Sequence, residues 1–203
     1  MIKIPEKEGR LSAAKAAHIE AVIAFVKRKT EGYRRDLFAN ISRVMLVSGT
    51  FEDMSARDDW SWLSDFILAD VKTLKQMIGR PELLQFNEFK RMYSDYFSAG
   101  SDKYVDASTK YNAYMFIENL GVTICPYCDE EYLDVVENGN GGKLRTLEID
   151  HFFPKGKYPA LAMCFYNLVP SGQNCNGMKR EELLGMNPVS YTHLRAHETS
   201  QDL

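Results

Sequence analysis

The residues best suited to chemistry in this sequence are the adjacent pair Asp150-His151, which follows a short apolar stretch and precedes Pro154. A neutral imidazole can take a proton from water at neutral pH. The Asp150 carboxylate supplies the hard oxygen atoms that Mg²⁺ and similar ions prefer. Adjacent side chains of a strand point to opposite faces, so both can serve one site only if the strand ends or bends there. Such dipeptides are common, and the pair alone does not indicate an enzyme.

Three of the four cysteines have a spacing that suits a metal ion. Cys125 and Cys128 are separated by two residues, which lets two thiolates bind one Zn²⁺, and Cys175 supplies a third ligand. A structural zinc site takes four ligands, and the position that would mirror the first pair holds Gly172. The fourth ligand stays open: Cys164, another side chain or water could supply it, or Zn²⁺ could bind weakly or not at all.

The same Cys125-Pro-Tyr-Cys128 segment is compatible with a thiol–disulfide redox pair. Redox motifs of this kind usually lie at a strand-to-helix junction within a βαβ unit. Here acidic residues and a strand-like stretch follow, so a metal site is favoured. A thiol–disulfide oxidoreductase remains a third hypothesis, which predicts a reducible Cys125–Cys128 disulfide and no zinc.

Polar and basic residues downstream could serve the same site as the Asp-His pair. Asn176 and Lys179 share one face of a predicted helix, and Asn176 offers a neutral oxygen ligand for a hard cation. Lys179 and Arg180 could bind a phosphate group, and Lys155 and Lys157 add positive charge nearby. The simpler alternative is a capping asparagine followed by solvated basic residues.

The elements that must position these residues change character near residue 121. Apolar residues at helical spacing, with breaks at glycine and proline, predict an all-helical region over residues 1–120. The predicted helices cover approximately residues 12–26, 37–47, 60–78, 83–97 and 108–119.

Beyond residue 121 the pattern predicts short strands near residues 122–124, 132–136 and 144–149, and a helix over about residues 176–184. This order makes a ββα arrangement around the Asp-His pair. Asn167 could brace the intervening loop through hydrogen bonds, or cap a turn before Pro170. The predicted fold class is therefore α+β, with the helical region followed by a small zinc-stapled ββα unit over residues 121–188.

Bulk composition excludes little. The 203 residues can hold one large domain or two small ones, and 45% hydrophobic content is enough for a core. A net charge of −3 does not indicate nucleic-acid binding, so a nuclease with this sequence would need a local basic patch. No apolar stretch is long enough to span a bilayer and no signal peptide is evident, so we expect a cytoplasmic protein without membrane contact.

The last residues do not continue the preceding pattern. Residues 190–199 lack periodicity, and they can be back-translated into what resembles a transposase-based sequencing adapter. We therefore expect that residues 189–203 are non-native and that the natural sequence is truncated near Pro188. For this reason His193 and His197 are not candidates for metal binding.

As an ordered set, these motifs resemble the HNH family of nucleases, which have the ββα-metal fold. The matching segments are Cys125-Pro-Tyr-Cys128, Ile149-Asp-His-Phe152, Pro154-Lys155, Tyr158-Pro159, Asn167-Leu-Val-Pro170 and Cys175-Asn-Gly-Met-Lys179. Any one of them would be weak evidence, but their order is specific. Gly172 departs from the second Cys-x-x-Cys that is usual in the subgroup with this zinc knuckle.

The resemblance implies a metal-dependent endonuclease that hydrolyses phosphodiester bonds in DNA. His151 would be the general base, and Asn167 would fix the loop and orient it. Asp150 and Asn176 would hold a divalent ion such as Mg²⁺ at the scissile phosphate. A structural Zn²⁺ would be held by Cys125, Cys128 and Cys175.

Such proteins often act in bacterial anti-phage defence, which implies DNA as the substrate and an ATPase or another defence protein as a partner. The alternative function is a catalytically inactive, zinc-stapled module that binds nucleic acid or a partner protein. That alternative would make the helical region the working part of the chain.

Overall fold

The structure, a computed structural model, is mixed α+β, with helices followed by small antiparallel sheets, which confirms the predicted fold class at that level. It describes residues 9–29, 32–33, 35–37, 39, 41, 60–78, 86–100, 102–137, 139–140 and 142–181. The predicted non-native tail and the truncation point lie outside these residues. Within them, no helix combines the length and the hydrophobicity needed to cross a bilayer.

The helices of the N-terminal region whose bounds lie within the described residues are α1 (Arg10–Lys27), α2 (Ser61–Ile67), α3 (Val71–Met77), α4 (Glu88–Met92) and α5 (Ala113–Leu120). A π-helical turn, Tyr93–Phe97, continues α4 without a break. The buried face of α1 carries His18, Val22 and Phe25 at helical spacing and packs against α2 and α5.

Two predicted helix limits in the first half of the chain are wrong. α1 begins at Arg10, after Gly9 with a φ of 94°, two residues before the predicted start at residue 12. The single helix predicted over residues 60–78 is two helices, α2 and α3. The Asp70 carboxylate accepts a hydrogen bond from the backbone N–H of Thr73 at 2.7 Å, and this capping starts a new helix.

The predicted start of the last N-terminal helix, at Ser108, is also wrong. Asn112 is the N-cap of α5, since its Oδ1 accepts from the backbone N–H of Tyr114 at 3.1 Å. Upstream, Asp106 Oδ2 accepts from the Ser108 hydroxyl at 2.7 Å and holds that stretch in a turn. Short polar side chains here outcompete the helical backbone bonds.

The two remaining predicted helices are described only in part. Leu37 and Ile41 are helical and buried, whereas residues 42–50 lie outside the described residues. The helix predicted over residues 83–97 is described from residue 86 onward, where α4 begins at Glu88.

Between residue 121 and residue 181, the last one that the structure describes, the described segments form two small antiparallel sheets and one α-helix. Strands β1 (Val135–Glu137) and β2 (Lys143–Arg145) form the first sheet. Strands β3 (Leu147–His151) and β4 (Leu168–Gly172) form the second, with Asp150 opposite Val169. Helix α6 (Gln173–Lys179) follows β4 directly and packs against both strands of that sheet.

This arrangement corrects the predicted order of strands. The partner of β3 is β4, a stretch predicted as a loop. Its sequence hides the strand, because Pro170 argues against one and because every β4 residue is buried, so that no alternation of polar and apolar residues is visible. The predicted strands at residues 122–124 and 132–136 are reduced to a bridge between Ile124 and Tyr132, followed by β1. α6 begins at Gln173, three residues before Asn176, the predicted start.

One apolar core continues from the helical region into the β3–β4 sheet. Phe116 of α5 packs against Phe165 with ring centroids 5.6 Å apart. The Tyr93 hydroxyl donates to the Ile149 carbonyl of β3 at 3.1 Å. The helical region therefore supports the strand that carries the Asp-His pair.

Candidate functional site

A cleft of about 440 Å³ lies between the end of β3 and the C-terminal half of α6. Asp150 and His151 line it together, as does Asn176 of α6. The chain bends directly after His151, and this ending of the strand lets two adjacent side chains face one cleft. The structure thus brings together the predicted general base and both predicted ligands of the catalytic ion.

The Asp150 carboxylate is 4% exposed, and its contacts are charged or polar. The Lys179 ammonium lies 3.2 Å from Oδ1 and 3.1 Å from Oδ2. The Tyr127 hydroxyl donates to Oδ2 at 2.6 Å. Burial, together with the negative charge of Asp150, raises the pKa of Tyr127, so this phenol stays protonated and donates.

His151 is also 4% exposed, and the hydrogen-bond partner of one ring nitrogen determines where the ring carries its proton. Nε2 lies 3.1 Å from the carbonyl oxygen of Ala162, and a carbonyl only accepts, so Nε2 carries the proton. Nδ1 therefore holds the lone pair. The Tyr93 ring packs edge-on against the imidazole, with centroids 4.4 Å apart, and fixes its plane.

The charge state of His151 follows from burial and from neighbouring ammonium groups. Desolvation lowers its pKa to about 3, and the positive charges of Lys155 and Lys179 act in the same direction, while the Ala162 hydrogen bond opposes them. The imidazole is therefore neutral at pH 7. A neutral ring with a free lone pair is the form that can accept a proton.

Asn167 braces the loop between β3 and β4. Its Oδ1 accepts from the backbone N–H of Phe153 at 2.6 Å, and its Nδ2 donates to the carbonyls of Phe153 and Leu161 at 3.1 and 2.9 Å. The loop that these bonds hold includes Ala162, whose carbonyl fixes His151. Of the two roles considered for Asn167, the contacts match loop bracing rather than the capping of a turn.

Asn176 is oriented by Glu148 of β3. Its Nδ2 donates to the Glu148 carboxylate, which requires the amide nitrogen to face that group and leaves Oδ1 for another partner. Glu148 lies two residues before Asp150, so the two acidic side chains share one face of β3.

Basic side chains gather at the cleft, although not all the predicted ones do. Lys155 and Arg180 line it, and Lys90 of α4 joins them. Burial lowers the pKa of Lys155, and the positive charge of Lys90 lowers it further, while Asp150 opposes the shift. Such crowding of ammonium groups favours an anion.

The other two predicted phosphate contacts lie elsewhere. Lys179 is 6% exposed and lies behind Asp150, where its Nζ also donates to the carbonyl of His151 at 2.8 Å. A direct phosphate contact would require an exposed ammonium. Lys157 is exposed, and its Nζ donates to the carbonyl of Glu181, a residue of the cleft rim, at 3.2 Å.

The sulfur atoms of Cys125, Cys128 and Cys175 lie within 4.8 Å of one another. A tetrahedral Zn²⁺ with bonds of about 2.3 Å separates its sulfurs by about 3.8 Å, so this cluster could bind a metal such as zinc. Cys164 does not belong to it: its sulfur is buried and donates to the Phe66 carbonyl at 3.6 Å. Burial raises the pKa of the Cys164 thiol, which suits a core residue.

The protonation of the cluster differs between its members. Backbone N–H groups of Glu131 and Glu130 donate to the Cys128 sulfur and lower the pKa of that thiol. Burial and hydrogen bonding to Cys128 raise the pKa of Cys175 to about 12. A metal ion would displace the remaining thiol protons, so binding should release protons.

Four residues of the site were missed from sequence. Tyr127 lies inside the cysteine motif, and Glu148 could have been found from the two-residue spacing with Asp150. Lys90 and Tyr93 come from the helical region, and no local pattern marks them.

No family model, no curated protein and no solved structure matches the chain.

Proposed function

We propose that the chain is a metal-dependent endonuclease of the HNH type that hydrolyses phosphodiester bonds in DNA. The observation that carries the proposal is the convergence of Asp150, His151 and Asn176 on one cleft with Lys90, Lys155 and Arg180. The strand pair β3–β4 followed by α6 supports the proposal, because the resemblance implies a ββα frame. A role in anti-phage defence, with a partner ATPase, remains a prediction from the sequence resemblance.

Asp150 and Asn176 would hold the divalent ion. A carboxylate offers about four lone-pair positions, so the bonds from Tyr127 and Lys179 leave room for a metal. The Oδ1 of Asn176 is turned away from Glu148 and supplies a second oxygen. When bound, such an ion stabilises negative charge on the phosphate and on the leaving oxygen.

His151 would take the proton of the attacking water. The oxygen of that water forms a bond to phosphorus as its proton passes to Nδ1, and the bond to the leaving oxygen breaks. Ala162 and Tyr93 hold the ring so that Nδ1 keeps its direction. A phosphodiester anion in the cleft would offset the charge of Lys155 and raise the pKa of His151 toward that of a more effective base.

The test is His151→Ala in the full chain, measured by nicking of supercoiled plasmid in Mg²⁺ or Mn²⁺. We expect the rate to fall by about 10²–10⁴-fold, the usual contribution of a general base. The variant should still unfold in a cooperative thermal transition and keep its metal content at the cysteines. Lys157→Ala is the matched surface control and should stay near the wild-type rate. Equal activity of His151→Ala and wild type would reject the assignment.

One observation favours the alternative of an inactive binding module. Lys179 already neutralises Asp150, and both Asp150 and His151 are nearly inaccessible. In that case the basic cleft would bind nucleic acid without cutting it. Salt-sensitive DNA binding by wild type, with no cleavage in Mg²⁺, Mn²⁺, Co²⁺ or Ni²⁺, would support this module over the endonuclease.

A further inference from the structure

Gly172 occupies the position where a fourth cysteine would complete the sulfur cluster. It lies beside the cluster, because its backbone N–H donates to the Cys125 sulfur at 3.3 Å. Its φ of −64° and ψ of 150° are open to every residue type, so the backbone does not require glycine here. What limits the residue at this position is therefore the space around it.

The side chain of Glu131 fills that space. A Cβ built on Gly172 would overlap the Glu131 carboxylate, with Oε1 2.7 Å away and Oε2 closer still. A cysteine at this position would meet the Glu131 carboxylate with its first side-chain atom. The carboxylate therefore takes up the space that the fourth thiolate would need.

The backbone of Glu131 is also part of the cysteine turn. Its carbonyl accepts from the backbone N–H of Cys125 at 2.8 Å, and its N–H donates to the Cys128 sulfur. These bonds fix the start of the Glu131 side chain next to the metal-binding sulfurs. Its side chain is half-buried, so the carboxylate is partly withdrawn from water.

We propose that Glu131 is the fourth ligand of a zinc site formed with Cys125, Cys128 and Cys175. Carboxylate oxygen is an ordinary Zn²⁺ ligand at about 2.0–2.2 Å, and three thiolates with one carboxylate carry the same charge as four thiolates. In the structure the Glu131 carboxylate lies beside Gly172 and outside the 4.8 Å cluster of the three sulfurs, so ligation requires its side chain to rotate toward them. This assignment is independent of the nuclease proposal.

The experiment uses the full chain, loaded with Zn²⁺ for affinity and with Co²⁺ for absorption spectra. The variants are Glu131→Ala, Gly172→Cys and their combination, and Glu130→Ala is the matched control. Zn²⁺ affinity is measured by competition with a chromophoric chelator. The sulfur-to-Co²⁺ charge-transfer intensity reports the number of bound thiolates.

We expect Glu131→Ala to weaken Zn²⁺ binding by at least the roughly 10–100-fold that follows loss of an outer-shell partner, and Glu130→Ala to leave it unchanged. Gly172→Cys should add a fourth thiolate to the Co²⁺ spectrum, because the new side chain displaces the carboxylate. In that background Glu131→Ala should cost no affinity.

Three results would overturn the proposal. The first is wild-type affinity in Glu131→Ala. The second is an equal loss from Glu131→Ala with and without the cysteine at position 172, because Glu131 would then act on the fold rather than on the metal. The third is a wild-type chain that binds no Zn²⁺. The comparison in the Gly172→Cys background still decides the matter if Glu131→Ala alone fails to fold.

Discussion

The two buried histidines show how the helical region and the cleft treat the same side chain. His18 of α1 and His151 of β3 each direct Nε2 to a carbonyl of one loop, at Met163 and Ala162 respectively. Burial lowers the pKa of both, to about 4 for His18 and about 3 for His151. Both rings are therefore neutral at pH 7.

The difference lies at the second ring nitrogen. The Tyr111 hydroxyl donates to Nδ1 of His18 at 3.0 Å, so both nitrogens of that ring are satisfied and it serves as a core residue. At His151 the nearby groups are the cleft and the ammonium groups of Lys155 and Lys179. Both nitrogens of His18, a residue of the helical region, are satisfied, whereas the cleft keeps charge and spare hydrogen-bonding capacity at His151, which is where chemistry is possible.

The largest effect on stability should come from Lys179, whose side chain is 2% exposed against Asp150. Lys179→Met leaves the carboxylate buried without its cation, which typically costs about 3–5 kcal/mol in the free energy of unfolding. The measurement is urea unfolding monitored by circular dichroism, with exposed Lys157→Met as the control.

The double variant Asp150→Asn/Lys179→Met sharpens this prediction. Removing both charges should recover part of the loss, because the cost arises from the unpaired carboxylate. Equal free energies of unfolding for Lys179→Met and Lys157→Met would show that the buried Asp150 carboxylate does not depend on its cation. The cleft would then not differ from the helical region in this respect.

The next effect concerns His18 and pH. Its pKa in the folded chain, about 4, is below the ordinary value of 6.5, so the unfolded chain binds a proton first as pH falls. The contribution of neutral His18 to the free energy of unfolding is thus complete above pH 6.5. It is lost as the pH falls from 6.5 to 4, and the total loss is about 3 kcal/mol. His18→Gln should lack that part of the pH dependence.

This difference between two pH profiles isolates His18 from other titrating groups. His151 titrates in the same range but is present in both proteins and cancels. Asp106, whose pKa is lowered to about 2 mainly by its bond from Ser108, acts at lower pH. Parallel profiles of wild type and His18→Gln would mean that His18 is not held neutral by burial.

The sequence predicted the parts of the site that are close along the chain. Asp150 and His151 are adjacent, and the cysteine spacing marks a turn that can hold a metal. Helical spacing correctly gave Asn176 and Lys179 one face of α6, but it does not say which face is buried. Lys179 was expected at the surface and instead supports Asp150 from behind.

What sequence could not supply depends on long-range packing. β4 shows no alternation because all of it is buried, and Pro170 argues against a strand, so its pairing with β3 was hidden. The contact of Tyr93 with β3 joins residues 56 positions apart. Local propensity carries no information about such a pair, and the same holds for Lys90.

The smallest predicted effect tests whether the helical region belongs to the cleft. If Lys90 of α4 neutralises a phosphate, Lys90→Ala should reduce the slope of log K against log salt for DNA binding by about 0.9. The measurement uses His151→Ala without divalent metal, so that no cleavage intervenes, and exposed Lys72 of α3 provides the control Lys72→Ala. An unchanged slope at Lys90 would confine phosphate binding to Lys155 and Arg180, and the helical region would then act only as the support for β3. A reduced slope would make it part of the binding surface, because one of its helices would contribute a charge to the same anion as the residues that follow β3.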